Sequence, residues 1–350
     1  MDGYRAYSKH VNPGLGRFLE LTGRDLKLVR GYGGTVEDAQ GRKFDDWISG
    51  FGSLNLGHNP EVVKPAIRKH LESDVPNLYT ESLNPLSGLL AERLIAAAGP
   101  TFETVFFSNS GSEAVEAGVR IAGPGYLRSV RELCHRHDAF LIFDEIQTGI
   151  GRTGHLFAWQ GYDVTPDLFV LAKSLGGGIM PIGATVIGTD IWKRAFGTFR
   201  RSEIHNSTFG GNALACVAAL STLEVINNAI FLSRVCERAA ELFAELERSL
   251  RDCRIVESIR WKGLLGGVRL REGTHPWLRP ENLDLSELEG VPMSGIIAVE
   301  RLARRNILAQ VCGHNWSVVR IEPPLIVEQD ACRRFVSAMT DTVRWMEKNV

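Results

Sequence analysis

Lys173 has the most distinctive chemistry of any side chain in the middle of the sequence. It follows an apolar run at residues 168–171 and precedes three glycines at residues 176–178. Burying a lysine at the end of a strand is unfavourable unless its amine is paired or functional. At such a position the lysine amine could form a Schiff base with a carbonyl compound. The glycines could let the backbone approach a ligand closely. Considered alone, a lysine that extends to solvent is the more common explanation.

Asp144 follows a second apolar run, at residues 139–143. Its carboxylate is expected where the strands of an open sheet end, which is the usual ligand-binding edge of such a sheet. A carboxylate at this edge could keep a pyridine nitrogen protonated, as a cofactor that withdraws electrons requires. Capping a helix, or lying at the surface, is an equally common role for an acid at a strand end.

Ser110, Gly111 and Ser112 lie at a predicted turn between a strand at residues 104–107 and a helix that begins near Ser112. Exposed N–H groups at the start of a helix suit a phosphate group. For a single Gly-Ser turn, an ordinary helix start capped by Ser112 is the more common explanation.

A glycine motif at residues 149–154 (GIGRTG) matches the GxGxxG fingerprint of dinucleotide-binding proteins. The glycines do not follow a strand directly, and residues 155–159 are not a clear helix start. We therefore predict a flexible loop, and an NAD-dependent oxidoreductase remains an alternative. Cys134, His135 and His137 could suggest a metal site, but their spacing fits no strong ligand pattern and indicates a helix end.

The predicted elements place these residues at strand ends in an α/β domain. Apolar runs bounded by Gly, Asp and Pro predict buried strands, and amphipathic segments predict helices. The predicted strands are residues 104–107, 139–143, 168–171, 184–187, 264–270 and 318–321, and the predicted helices are residues 60–72, 86–97, 125–137, 213–227, 232–251, 296–305 and 330–347. This order indicates a larger domain at residues 51–250 and a smaller α/β domain built from residues 1–50 and 251–350.

The overall composition excludes several classes of protein. The chain has 350 residues, of which 44% are hydrophobic, as in a soluble globular protein of about two domains. Its net charge of −1 gives no sign of binding to nucleic acid or to an acidic membrane, and no apolar run is long enough to span a bilayer. The N-terminus has no apolar signal core, and the six cysteines include no CxxC pair. We therefore expect a cytoplasmic protein.

One junction breaks the order that a parallel sheet requires. The helix predicted after Ser112 ends near Gly123, and the next helix begins after Gly125 with no strand between them. A parallel sheet needs a strand between consecutive helices. The sequence therefore predicts that part of the sheet is missing or rerouted near residues 122–124.

Taken together, the motifs resemble the class III (omega) aminotransferases, which are pyridoxal-phosphate (PLP) enzymes of fold type I. The resemblance covers nearly the whole chain. Its motifs are residues 41–46 (GRKFDD), 57–60 (GHNP), 107–114 (FSNSGSEA), 124–127 (PGYL), 143–154 (FDEIQTGIGRTG), Lys173, 207–212 (STFGGN) and 320–325 (RIEPPL). Residues 171–185 and 321–325 are most similar to the putrescine (diamine) aminotransferase branch, with ornithine and acetylornithine aminotransferases close behind.

The resemblance implies a large domain with a mainly parallel central sheet, together with a small α/β domain from both chain ends. It also implies a role for each residue near the cofactor. Lys173 would be the Schiff-base lysine and the proton carrier, and Asp144 would pair with the pyridine nitrogen. Ile146 would pack on a face of the PLP ring, and Gln147 would reach the ring hydroxyl. The phosphate would be held by Ser110, Gly111 and Ser112.

For substrates and partners, the resemblance implies an amino transfer from an omega-amine donor, such as putrescine or an ornithine-like amine, to a 2-oxo acid such as 2-oxoglutarate. Arg320 would receive the carboxylate of the amino acceptor. Thr208 would reach the phosphate of the neighbouring subunit, so a homodimer is expected. No metal, nucleic acid or membrane is expected to take part. An aminomutase or a racemase stays open, because the same lysine and aspartate serve those reactions.

The sequence departs from the family at the junction near residues 122–124. Family members carry a longer segment there, on the order of 80–100 residues if three strands with their crossovers are absent. This segment includes an aromatic-His-Gly motif, whose ring stacks on the cofactor, and a Glu-Pro-x-Gln-Gly-Glu motif on the substrate side. Three explanations are open: a deletion that leaves a degenerate enzyme, a folded shell that acts as a non-catalytic partner, or a sequence from which a segment has been omitted.

Overall fold

A computed structural model describes residues 3–21, 24–79, 82–108, 125–196, 198, 207–272, 292–313 and 315–349. The chain divides into two compact units. The central unit is Gly50–Glu237, and the terminal unit combines Met1–Ser49 with Arg238–Val350. The predicted domain boundaries, at residues 50 and 250, stay a prediction.

The described ranges contain ten main helices and twelve strands. The helices are α1 (Gly3–His10), α2 (Pro13–Leu21), α3 (Val63–Leu71), α4 (Pro85–Ala98), α5 (Tyr126–Arg136), α6 (Thr189–Phe196), α7 (Ala213–Ile226), α8 (Ala229–Leu250), α9 (Ser294–Ala303) and α10 (Gln329–Asn349). The strands are β1 (Leu28–Tyr32), β2 (Thr35–Asp38), β3 (Lys43–Asp46), β4 (Phe102–Ser108), β5 (Ile142–Asp144), β6 (Leu168–Leu171), β7 (Gly183–Gly188), β8 (Val256–Lys262), β9 (Leu265–Leu270), β10 (Ile307–Leu308), β11 (Gln310–Cys312) and β12 (Asn315–Ile321).

The sheet of the central unit has the order β4-β7-β6-β5. Strand β7 is antiparallel to both β4 and β6, and β5 is parallel to β6. Three of the four strands therefore point the same way, and their carboxyl ends share one edge. This arrangement confirms the predicted α/β class with a mainly parallel central sheet.

The core of the central unit explains why these segments form strands. Strand β6 reads Leu-Phe-Val-Leu and is buried along nearly its whole length, as expected for a strand covered on both faces. Phe169 packs edge-on against Phe102, with ring centroids 5.1 Å apart. Helix α7 is buried over most of its surface, and its N-terminus is capped by Asn212, which accepts a hydrogen bond from the Ala215 amide at 3.0 Å.

The terminal unit joins both ends of the chain through backbone pairing and side-chain contacts. Its two sheets have the orders β1-β2-β3-β10 and β11-β12-β9-β8, and β10 from the C-terminal part pairs in parallel with β3 from the N-terminal part. Trp47 stacks on Phe335 with centroids 3.9 Å apart. Asp45 accepts two hydrogen bonds of 2.8 Å from Arg334. The prediction that both chain ends share one α/β domain is confirmed.

One predicted strand differs from the structure at its start. Strand β5 begins at Ile142 rather than at Ala139, because α5 ends in a turn in which the Ala139 amide donates to the Cys134 carbonyl at 2.9 Å. Asp138 adopts a φ of +49° in that turn. The helix predicted to begin near Ser112 lies outside the described residues.

Of the helices in the described ranges, none has by itself the length and apolar composition to cross a membrane. Helices α7 and α8 meet those criteria only as a pair that is bent by 70°.

Candidate active site at the strand ends

The carboxyl ends of β5 and β6 bring Asp144 and Lys173 to the same edge of the sheet. Asp144 is the last residue of β5 and pairs with Val170 of β6, and Lys173 follows β6 by two residues. The Lys173 ammonium group (Nζ) donates a hydrogen bond to the side-chain oxygen of Gln147, and its charge acts on the Asp144 carboxylate. We call Asp144, Gln147 and Lys173 the strand-end cluster.

The Asp144 carboxylate is partly removed from water. Burial raises its pKa above the ordinary value, while the Ile146 amide, which donates to Oδ1 at 2.9 Å, and the charge of Lys173 act in the opposite direction. The raised pKa means that desolvation outweighs the favourable contacts. Such a carboxylate is stabilised further by a cationic N–H group placed against it.

The backbone of Lys173 has an unusual conformation. Its φ is +47°, a left-handed value that is uncommon for a residue other than Gly, Asn or Asp. Such strain persists only where the surrounding structure enforces it, and it is most frequent at functional sites. The residue begins a short 3-10 helix, Lys173–Gly176.

The glycines that follow Lys173 serve internal packing. A Cβ at Gly177 would lie 2.6 Å from the Thr222 hydroxyl, and one at Gly178 would lie 2.4 Å from Leu54 Cδ2. Protein atoms therefore occupy the space that the missing side chains leave. The expected approach of a ligand to these glycines has no support in the structure.

Glu145, next to Asp144 in the sequence, has a structural role that sequence patterns did not reveal. It is buried, and its two carboxylate oxygens accept hydrogen bonds from the Ala158 and Trp159 amides, each at 2.8 Å. Thr148 donates a third bond at 3.0 Å. Burial raises the pKa of Glu145 despite these bonds. The carboxylate thereby closes the loop between β5 and the 3-10 helix Ala158–Gly161.

The glycine motif at residues 149–154 forms a loop, as predicted, but the whole loop is buried. Its backbone amides donate to carbonyl groups within the loop and beside it. The Gly149 amide donates to the Glu145 carbonyl, and the Gly151 amide donates to the Leu156 carbonyl. The amides of Arg152 and Gly154 donate to the carbonyls of Gly149 and Gly151. A dinucleotide fingerprint needs amides at the start of a helix, and the next helical segment here is only the short 3-10 helix. The geometry therefore does not favour the NAD alternative.

Two side chains hold the glycine loop against the segment that precedes α3. The Asn55 amide donates to the Ile150 carbonyl at 2.6 Å, and Arg152 donates to the Asn55 side-chain oxygen at 2.5 Å. Asn55 is 1% exposed and Arg152 is 0% exposed. These contacts join residues that are 95 and 97 positions apart, and no local pattern points to them.

Thr208, predicted to reach a neighbouring subunit, lies exposed in the turn that precedes α7. Asn84 holds this turn by donating to the Gly211 carbonyl at 2.7 Å. Gly210 packs so closely on the end of β4 that a Cβ would lie 2.2 Å from the Phe107 carbonyl oxygen. The predicted phosphate-binding residues Ser110, Gly111 and Ser112 follow β4 and lie outside the described residues.

Arg320 belongs to the terminal unit, where it lies on β12. Its guanidinium Nε is 3.0 Å from a carboxylate oxygen of Glu322. Glu322 is fully buried, while the Arg320 side chain is 21% exposed. The arginine predicted to receive a substrate carboxylate thus has an internal carboxylate partner.

Comparison with known proteins gives a consistent result. The family described as aminotransferase class-III matches residues 22–123 and 116–343. Aminotransferase PigE from Serratia sp. is 28% identical over 447 aligned positions, which cover 95% of this chain and 52% of PigE. The chain therefore spans about half the length of this curated relative.

Solved structures share the fold at low sequence identity. Ornithine delta-aminotransferase from Plasmodium falciparum has a TM-score of 0.79 at 20% identity, covering 93% of this chain and 95% of its own. Acetylornithine aminotransferase from Elizabethkingia anophelis has a TM-score of 0.77 at 23% identity, with coverage of 94% and 98%. A transaminase from the marine bacterium Virgibacillus has a TM-score of 0.84 at 18% identity, with coverage of 99% for both chains.

The same comparisons locate the place where the sequence departs from its relatives. The two stretches that match the family overlap at residues 116–123, next to the junction predicted to lack a segment. The alignment with PigE has 447 positions, although this chain has only 350 residues, so about a hundred positions are occupied by PigE alone. Both observations agree with an absent internal segment.

Proposed function

This chain belongs to the class III aminotransferase family, and on that basis we propose that it is a PLP-dependent aminotransferase. The proposed reaction moves an amino group from an omega-amine donor, either a diamine such as putrescine or an ornithine-like amine, to a 2-oxo acid such as 2-oxoglutarate. The observation that carries the proposal is the strand-end cluster, in which the Lys173 amine contacts Gln147 beside the carboxylate of Asp144.

The residues of the cluster fit PLP. Lys173 supplies an amine that can bind an aldehyde, and its strained backbone is held in place by the packed turn that follows it. Asp144 supplies a partly desolvated carboxylate, which a protonated pyridine nitrogen would stabilise. Bound PLP would supply the electron-withdrawing ring that makes the carbon next to the transferred nitrogen acidic.

Each residue of the cluster has a proposed task in the reaction. The Lys173 amine holds the cofactor at rest and then moves the proton that leaves the donor carbon. Gln147 accepts a hydrogen bond from that amine and so limits the orientations that the Lys173 side chain can adopt. Asp144 would hold a proton on the pyridine nitrogen of bound PLP, because a desolvated carboxylate favours a cationic partner.

Further roles follow from the family resemblance. Ile146 would pack on the ring, while Ser110, Gly111 and Ser112 would hold the phosphate. Thr208 would contribute from the other subunit of a homodimer. Arg320 would bind the acceptor carboxylate. The structural similarity to ornithine and acetylornithine aminotransferases supports a donor with a terminal amine.

Titration of the purified chain with PLP tests the proposal. We expect a new absorption band, and borohydride reduction should fix the cofactor to Lys173 in a peptide identified by mass spectrometry. Lys173→Ala should lose both signals, whereas Lys193→Ala, which changes an exposed lysine on α6, should keep them. Amino transfer from putrescine and ornithine to 2-oxoglutarate should then be measured. A chain that takes up no PLP would contradict the proposal.

A second candidate is a catalytically degenerate homologue that acts as a structural partner. Two observations favour it: the alignment with PigE contains about a hundred positions that this chain lacks, and the family match is interrupted near residues 116–123, where the resemblance implies part of the sheet. This candidate predicts a folded protein without amino transfer from any amine donor, even with PLP present. Measurable turnover that depends on Lys173 would exclude it.

A further inference from the structure

Ile150 has a backbone conformation that its residue type does not favour. Its φ is +51°, in the left-handed region, and its side chain is 1% exposed. For a β-branched residue this conformation is a genuine outlier, and it persists only if neighbouring groups enforce it. The strained residue lies three positions after Gln147, in the loop that follows β5 and carries this member of the strand-end cluster.

Asn55 and Arg152 supply the contacts that hold this turn. The Asn55 amide donates to the carbonyl of Ile150 itself, at 2.6 Å. The side-chain oxygen of Asn55 accepts a hydrogen bond from the Arg152 guanidinium group at 2.5 Å. Both side chains are buried, so each depends on the other, because a buried polar group without a partner is strongly unfavourable. A second constraint is Gly149, where a Cβ would lie 2.7 Å from the Glu145 carbonyl oxygen.

Gln147 links the held turn to the amine of Lys173. Gln147 lies between Asp144, fixed in β5, and the turn at Ile150, fixed by Asn55. Its side-chain oxygen accepts a hydrogen bond from the Lys173 amine. A hydrogen bond to the charged form of an amine favours that form. The orientation of this turn therefore bears on the position of the Gln147 oxygen that accepts this hydrogen bond.

We propose that Asn55 and Arg152 are positioning residues for Lys173, because they hold the strained turn at Ile150 and thereby keep Gln147 against the lysine amine. Neither residue touches the amine itself. The catalytic meaning of this inference rests on the proposed function, but the coupling between Asn55 and the Lys173 amine does not depend on the presence of PLP.

The other charged groups around Lys173 stay unchanged in this scheme. The charges of Asp144, at the end of β5, and Lys173 interact, and the charge of Asp144 in turn acts on Glu145. Helix α7, which packs on the turn after Lys173, carries Glu224 as its one charged residue, and α3 contributes Val63 to that turn. The test therefore uses an Asn55 substitution that changes no charge.

The pKa of the Lys173 amine can be measured in the cofactor-free protein by competitive acetylation with acetic anhydride across a pH series. Peptide mass spectrometry then reports Lys173 against Lys193 as an internal reference. We expect Gln147→Ala to lower the pKa of the Lys173 amine by about one unit, since a hydrogen bond to a charged group is lost. Asn55→Ala should lower it in the same direction.

The double variant Asn55→Ala/Gln147→Ala separates positioning from a general loss of structure. If Asn55 acts through Gln147, the double variant shows no larger shift than Gln147→Ala alone. Asn84→Ala is the matched control, because it also removes an amide that donates to a backbone carbonyl, and it should leave the pKa of Lys173 unchanged. Asn55→Ser, which keeps a hydroxyl for Arg152, replaces Asn55→Ala if that variant does not fold.

An unchanged pKa in the folded Asn55 variants, or a shift in the double variant equal to the sum of the two single shifts, would overturn the inference. A PLP titration of the same proteins tests the proposed function separately. A wild-type chain that binds no PLP would contradict the proposed function, and the acetylation result would still decide whether Asn55 positions Lys173.

Discussion

Lys173 and Gln147 contact each other through a hydrogen bond between side chains that follow two different strands, β6 and β5. The parallel pairing of these strands brings the two residues together although they are 26 positions apart. Around this contact the structure places one partly buried acid, Asp144, and one fully enclosed acid, Glu145. Asp144 interacts with Lys173 and with the Ile146 amide, whereas Glu145 accepts hydrogen bonds from the amides of Ala158 and Trp159. We therefore expect substitutions of the two acids to have different effects.

Replacing Asp144 by Asn should reduce catalysis more than cofactor binding. The amide cannot hold a proton on a pyridine nitrogen as a carboxylate does, so we expect kcat to fall by about a hundredfold. PLP uptake, followed by absorbance, should fall much less. Asp163→Asn, which alters an exposed acid paired with Arg128, is the control and should leave kcat unchanged. An Asp144→Asn protein with wild-type kcat would remove Asp144 from the proposed mechanism.

Glu145 should make the stability of the protein depend on pH. Burial raises its pKa in the folded state above the ordinary value of 4.5, so folding takes up a proton at pH values between the two. The free energy of unfolding should therefore decrease as the pH rises from about 4.5 to the raised pKa, and then level off. Thermal unfolding across this range should show a weaker decrease in Glu145→Gln than in the wild type. Parallel curves for the two proteins would contradict the assignment.

Gly154→Ala should destabilise the central unit through a steric clash. Gly154 has a φ of +90°, and a Cβ there would lie 2.3 Å from the Cys236 sulfur. We expect a loss of about 2–4 kcal/mol in the free energy of unfolding, measured by urea denaturation. Gly99→Ala is the matched control, because its φ is +99° and its Cβ would have no neighbour within 4 Å. The control has only the backbone cost of its φ and ψ, about 1–3 kcal/mol, so it should lose less than Gly154→Ala, and equal losses would show that the clash is relieved.

Thr208→Ala should weaken PLP binding in a dimeric protein. If Thr208 donates a hydrogen bond to the phosphate of the neighbouring site, its removal should raise the Kd for PLP by about tenfold. The association state should be measured by analytical ultracentrifugation in the same buffer. Thr165→Ala, at another exposed threonine of the central unit, should leave the Kd unchanged. A monomer with undiminished affinity in Thr208→Ala would argue against a shared site.

Most elements near the site could be predicted from the sequence because their signals are local. The apolar run at residues 168–171 matches β6, and the segment at residues 213–227 matches α7 to within one residue. The sequence predicts the start of β5 three residues too early, since Ala139 belongs to the turn after α5. The sequence predicts a flexible loop at residues 149–154, but the loop is buried, and its Ile150 and Arg152 bond to Asn55, which is distant in sequence.

The sequence by itself determined the family and the fold class, because motif order, apolar periodicity and residue type can be recognised in the sequence alone, and it also supplied the proposed site residues. Only the tertiary structure decided which of these side chains touch. The pairing of β5 with β6 brings the Lys173 amine into hydrogen-bond contact with Gln147. Asp144 is only partly buried, whereas Glu145 is fully buried. Asn55 bonds to the turn at Ile150, which is 95 residues away in the sequence. Such contacts depend on how strands and loops pack in space, and that packing is set by the whole core rather than by any single segment.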